Sequence, residues 1–201
     1  KKMGIDMMSM SSHKIYGPKG IGALYIKRGT RLSNYIHGGA QEMGKRAGTE
    51  NLPGIVGFGK AAELSEKNFK KHIEHCTSLR DYLIEEVKAK IPNVSVNGTM
   101  DGRHPGNANI TFEYIEGEAM LLMLDARGIA VSTGSACSSK SLKPSHVLDA
   151  IGVPVEKIHG SLRFTVGDFT TKEDIDYVVT ELAVIVKRLR VISSVNVEKG
   201  W

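Results

Sequence analysis

The sequence predicts an α/β fold in which short strands border a loop-rich first section and a long linking helix leads into a smaller α+β domain. Three observations carry that reading. Residues 7–11 and 21–26 are short apolar runs bounded by glycines and turn residues, which read as buried strands. Between 55 and 87, Leu64, Phe69, Ile73, Leu79, Leu83, Ile84 and Val87 fall at helical spacing ahead of Pro92, as one long helix or two joined ones. Beyond it, strand-like runs at 94–96, 109–112, 129–131 and 162–166 alternate with helical patterns.

The remaining elements follow in order. Residues 29–59 are rich in glycine and polar side chains, which argues for loops arranged around a site. A helix is expected over 118–127, closed by Gly128, and a short one over 144–152, with Pro144 at its start and Gly152 at its end. Thr170 followed by Glu173 has the spacing of a capping box. It precedes a stripe of Ile175, Val178, Val179, Leu182, Ile185, Val186 and Leu189 that predicts the last helix.

Composition narrows the function classes. A chain of 201 residues with 41% hydrophobic and 24% charged residues can bury a core. The net charge of +5 is dispersed among acids, as in Lys70 and Lys71 followed by Glu74, so it reads as solvated helix faces rather than a nucleic-acid site. Two cysteines without a Cys-x-x-Cys pair fit no disulfide framework and point to a reducing compartment. No apolar run approaches the roughly 20 residues that span a bilayer, and the first residues lack a signal-peptide core. The expectation is a soluble, cytoplasmic protein without a membrane partner.

The chemistry centres on Lys14. A lysine held at a strand end and partly desolvated can lose its proton and condense with an aldehyde, of which pyridoxal phosphate (PLP) is the obvious example. Ser11 and His13 are hydrogen-bonding residues suited to a phosphate group beside it, and Gly17 and Gly20 allow a tight return. Ordinary surface loops also carry such a run. Arg163 sits on an otherwise apolar strand, where an unpaired guanidinium is costly, so it needs an anion: a ligand carboxylate, or Asp168 or Glu173. Cys137 lies among small residues that suit a mobile loop, though free cysteines are often small buried hydrophobes. His72 and Cys76, with His75 between them, have the i, i+4 spacing of a shared helix face, but two ligands close in sequence do not make a site, and no metal is assigned. His37, His104 and Asn107 carry no assignment.

Four motifs in this order resemble the cysteine desulfurases of the NifS/IscS class: the run from Met8 to Lys27, Gly38-Gly39-Ala40-Gln41-Glu42, Arg46-Ala47-Gly48-Thr49-Glu50-Asn51, and Ser132-Thr133-Gly134-Ser135-Ala136-Cys137-Ser138-Ser139. The resemblance spans nearly the whole chain. It implies the PLP-dependent transferase fold type I, with residues 1–60 as the C-terminal part of the large domain, 61–90 as a linking helix and 91–201 as a small domain carrying the cysteine loop. It implies that Lys14 holds PLP and moves the substrate's Cα proton, and that Ser11 and His13 bind the cofactor phosphate. Thr49 resembles the threonine that reaches the phosphate of the other subunit, which implies a homodimer; the plainer reading of Thr49 is a helix N-cap. Cys137 would take sulfur from L-cysteine as a persulfide, leaving alanine, and Arg163 would fix the substrate carboxylate. An iron–sulfur scaffold protein or another sulfur acceptor would be the partner.

The chain departs from that family at its front. The family's longer N-terminal part, with most of its sheet and the aspartate that pairs with the cofactor's ring nitrogen, has no counterpart here, so a C-terminal portion that is inactive alone is expected. A selenocysteine lyase-like PLP enzyme, or a non-catalytic scaffold-binding fragment, are the other readings.

Overall fold

The computed structural model describes residues 3–133 and 144–193, and the chain divides into two units, 1–69 and 70–201. In the first, β1 (Met7–Ser11) and β2 (Gly22–Ile26) form an antiparallel pair with Met7 opposite Ile26 and Ser11 opposite Gly22. The strands lie where the sequence predicts, but they are not buried. Every residue of β1 is exposed, and in β2 only Ile26 is half-buried. The expectation of buried strands is corrected for a physical reason: apolar composition favours burial, yet a two-stranded sheet has two faces to cover and supplies neither cover itself.

A single helix, α1 (Leu52–Lys90), forms where one or two were expected, and it ends two residues before Pro92. Its second half buries Cys76, Leu79, Leu83, Ile84 and Val87, whereas Leu64 and Phe69 in its first half are 43% and 60% exposed. Cys76 therefore faces the core and is not part of a polar helix face.

The second unit is built on an antiparallel sheet of β3 (Val94–Val96), β4 (Asn107–Phe112) and β5 (Ser161–Thr165), in that order, with β4 central. Side chains alternate across a strand, so Ala108, Ile110 and Phe112 share one face of β4 and are buried with Leu162 and Phe164 of β5. The other face is polar and internally satisfied. Asn97 donates to Asn109 Oδ1 (2.6 Å) and Thr111 Oγ1 (2.9 Å), and the hydroxyls of Thr111 and Ser161 are 2.7 Å apart. Asn107 accepts from Arg103, and the ring of His104 accepts from the Gly106 amide, so both have structural partners.

Helix α2 (Gly117–Asp125) ends ahead of Gly128, whose φ of 74° suits its place after the helix. Helix α3 (His146–Ala150) is shorter than predicted, and α4 (Val155–Ile158) was not foreseen. The last helix, α5 (Lys172–Ile192), buries Ile175, Val179, Leu182, Ile185 and Val186, each contributing about 1.5–3 kcal/mol by leaving water. Its capping box is Thr171 with Asp174, one residue beyond the predicted pair. Thr170 instead accepts from the Gly167 amide at 3.0 Å. Residues 129–131 form no strand; Ile129 is buried as a packing residue, and only Ser132 makes a bridge, to Arg163. Among the described residues no helix is long and apolar enough to cross a membrane.

Candidate cofactor site

The Lys14 site begins with a backbone that has little freedom. β1 ends at Ser11, and residues Ser12–Ile15 form one tight helical turn closed by Tyr16 in the left-handed region, at φ 64°. The Gly17 amide donates to the Ser12 carbonyl at 3.0 Å, and the Ser12 amide donates to the Ile21 carbonyl at 3.2 Å. Gly17 admits no side chain, because a Cβ there would lie 2.0 Å from Ser12 Oγ and 3.0 Å from the Ala61 methyl. Gly57, in the first turns of α1, is equally required: a Cβ would meet the Pro18 ring at 2.5 Å. Glycines at 17 and 57 thus let the Gly-Pro turn seat on α1 within the first unit.

On this clamped turn Ser12 is buried, and its hydroxyl has no hydrogen-bond partner, while Ser11, His13 and Lys14 are exposed. One amine, one hydroxyl and one imidazole therefore project from four consecutive residues. Among the described residues neither Lys14 nor His13 is held in an ion pair. The donor set fits PLP: a hydroxyl and an imidazole able to donate to a phosphate, and an amine able to meet an aldehyde. The unit's single aspartate, Asp6, is paired with Lys27 at 2.9 Å.

Thr49 lies exposed in the loop before α1. Arg46 organises that loop by donating to the carbonyls of Gly48 (2.8 Å) and Thr49 (3.4 Å), and Gln41 Oε1 accepts from the Gly48 amide. The helix cap considered for Thr49 belongs to Asn51, whose Oδ1 accepts from the Gly54 amide at 3.1 Å. The side chain of Thr49 is thereby left out of the cap.

Arg163 is half-buried on β5, opposite Asn109. Its backbone exchanges two hydrogen bonds with Ser132, at 2.7 and 3.2 Å, which fixes the chain beside it just before residue 134. Cys137 lies outside the described residues. Asp168, one of the two acids considered as partners for Arg163, is engaged by His72 at 2.5 Å, and no ion pair of Arg163 occurs among the described residues. Ser11, His13 and Lys14 thus lie at the end of β1 and on the turn that follows it, and Arg163 belongs to the second unit. Sequence reasoning passed over Ser12 and Asn51; the Asn-x-x-Gly spacing signalled the second, whereas nothing in sequence marks the buried hydroxyl.

A family model described as aminotransferase class-V matches residues 1–178. The chain belongs to the class-V aminotransferases. Members of that family are PLP-dependent, and this class-V aminotransferase is 56% identical over 192 residues to cysteine desulfurase IscS of Dictyoglomus turgidum, covering 96% of the chain and 49% of that protein. It is 52% identical over 202 residues to a cysteine desulfurase of Nostoc sp., covering 100% of the chain and 50% of that protein. Among solved structures, a NifS-like protein matches with a TM-score of 0.84 and 32% identity over 94% of the chain and 48% of that structure. A NifS-like protein from Rickettsia africae gives 0.83 and 31% over 92% and 48%. The mixed α/β architecture is that of PLP fold type I, and the chain spans about half the length of the relatives it matches.

Proposed function

We propose that the chain is the part of a PLP-dependent cysteine desulfurase that carries the cofactor lysine, the sulfur-accepting cysteine and the carboxylate-binding arginine. The observation that carries this reading is the Lys14 turn: an exposed amine flanked by Ser11 and His13 on a backbone fixed by Gly17 and Pro18. Bound PLP supplies an electron sink for charge developing at the substrate Cα. Lys14 Nζ holds the cofactor aldehyde and then carries the Cα proton. Ser11 Oγ and a His13 ring N–H bind the phosphate, and Thr49 reaches the phosphate of a second subunit in a homodimer. Arg163 grips the carboxylate of L-cysteine through its planar fork. The thiolate of Cys137 attacks the substrate sulfur. The carbon–sulfur bond breaks, its electron pair stays with carbon, and protonation there gives alanine while the sulfur remains on Cys137 as a persulfide.

Residues 1–60 are read as cofactor-domain sequence and 91–201 as the small domain. No residue of the first unit is assigned as the acid for the ring nitrogen; its single aspartate, Asp6, pairs with Lys27. Delivery of the sulfur to an iron–sulfur scaffold or another acceptor, in the cytoplasm, completes the reading.

The test is borohydride trapping of the chain with PLP, followed by peptide mass mapping. The expected result is a single reduced adduct on Lys14 that disappears in Lys14→Ala. Labelling spread over other exposed lysines at the same level would overturn the assignment. With full-length partner sequence restored, Cys137→Ser should abolish alanine release from L-cysteine while leaving the Lys14 adduct intact.

A further inference from the structure

His72 and Cys76 lie one turn apart on α1, and the fold adds a third group from 92 residues beyond Cys76, Asp168 in the loop between β5 and α5. Cys76 Sγ is 3.8 Å from His72 Nδ1 and 3.9 Å from Nε2, and Asp168 Oδ1 is 2.5 Å from His72 Nδ1. One ligand atom from each residue falls within 4.8 Å of the other two. We propose that His72, Cys76 and Asp168 bind a divalent transition metal of the zinc type, with water or an added ligand as the fourth donor.

The donor set favours this class. Thiolate and imidazole suit zinc or cobalt, while magnesium and calcium prefer oxygen alone. Metal–ligand lengths of about 2.0–2.3 Å place tetrahedral donors roughly 3.3–3.6 Å apart, close to the sulfur–nitrogen separations found here. The His72–Asp168 contact must open by about 1 Å. Both side chains can move that far, being 30% and 41% exposed. Charge also balances, because one thiolate and one carboxylate neutralise a divalent ion, and the thiol proton goes to solvent on binding.

The loop that carries Asp168 is held for this purpose at a second point. The His75 ring bonds the Thr170 carbonyl at 3.0 Å, which ties the loop to α1, and the Thr170 hydroxyl accepts from the Gly167 amide, which closes the loop on itself around Asp168. The cluster lies wholly within the second unit, and none of these residues serves the proposed desulfurase chemistry. A hydrogen-bonded His–Asp pair above an inert buried thiol is the alternative that the experiment must separate.

Cobalt(II) titration of the untagged 201-residue chain carrying Cys137→Ser, which removes the other thiol, reads the site directly. The expected result is a sulfur-to-cobalt charge-transfer band with tetrahedral ligand-field bands, saturating at one equivalent and displaced by zinc. Cys76→Ser should abolish the charge-transfer band. His72→Gln, at a half-buried position, and Asp168→Asn, at an exposed one, should each weaken binding by roughly tenfold or more while circular dichroism stays native. Absence of the band in a folded chain, its survival in Cys76→Ser, or unchanged affinity in both the His72 and the Asp168 variant would overturn the proposal. If Cys76→Ser fails to fold, the His72 and Asp168 variants decide.

Discussion

The two halves of α1 show how differently the two units are built. Beyond residue 70 the helix buries Cys76, Leu79, Leu83, Ile84 and Val87 against a sheet with a polar network on its far side. Before residue 70 the same helix exposes Leu52, Val56, Leu64 and Phe69, and the strands of that unit expose Met7, Met8, Met10, Leu24 and Tyr25. The second unit has a core of its own. The first is organised by backbone clamps, with Gly17 and Gly57 admitting the turn that carries Lys14. The lesson is that a site can be held rigidly by local backbone fit in a region that buries little apolar surface, which leaves that surface free for other chain to cover.

The largest expected effect tests that contrast directly. Phe112 is fully buried at the end of β4, and Phe112→Ala should cost about 3–5 kcal/mol of second-unit stability through lost transfer energy and a cavity. Native-state hydrogen exchange supplies the sharper readout. Amides of β4 should lose protection by that whole amount, while amides of β1 and β2, protected at least roughly tenfold less at the outset, should change little. An equal loss in both sheets would mean one cooperative structure and would erase the comparison.

How much of this was readable in advance follows the same division. Local signals located β1, β2 and α5 closely, because turn residues bound short apolar runs and a period-3.6 stripe reports which helix residues share a face. They failed where a tertiary choice decides. Thr170 and Thr171 each stand three residues before an acid, and only the folded turn at Gly167, which takes the Thr170 hydroxyl, leaves Thr171 to cap. Ile129 belongs to an apolar β-branched run, but it packs beside the sheet and joins no ladder. The burial of β1 was misjudged because a strand's apolar residues reveal a preference and not the presence of a cover. For the candidate sites, Ser11, His13 and Lys14 fall within four consecutive residues, so the sequence alone sets them near one another. Asp168 was offered only to Arg163, since nothing local links it to His72 across 96 residues.

A smaller effect probes the clamp of the first unit. Ser12 Oγ is buried without a partner, and an unsatisfied hydroxyl costs about 1–3 kcal/mol of desolvation. Ser12→Ala removes that penalty at nearly constant volume, so the chain should gain up to about 1 kcal/mol in urea unfolding, with the Lys14 turn unchanged. A loss of similar size would mean that the hydroxyl is satisfied and that the turn is held by more than glycine fit.

The smallest effect belongs to the second unit and is read through pH. Tyr82 donates to Asp176 Oδ1 at 2.6 Å, and Lys172 lies 3.4 Å from Oδ2 and 4.3 Å from the centre of the Tyr82 ring. The Tyr82 hydrogen bond first, and then the Lys172 charge, hold the Asp176 carboxyl below the usual carboxylate range. A lowered folded-state value means that the unfolded chain takes up the proton first. Its contribution is therefore complete above the ordinary value of about 3.9 and is lost as pH falls through the lower folded value. Asp176→Asn should have a lower urea midpoint than the parent at neutral pH, and the gap should close in acid below that window. Because the carboxylate is open to solvent, salt should narrow the gap at neutral pH as well. A gap that persists unchanged into acid would assign the effect to the shape of the Tyr82 contact instead of its charge. The edge of the second unit would then be held, like the Lys14 turn, by fit alone.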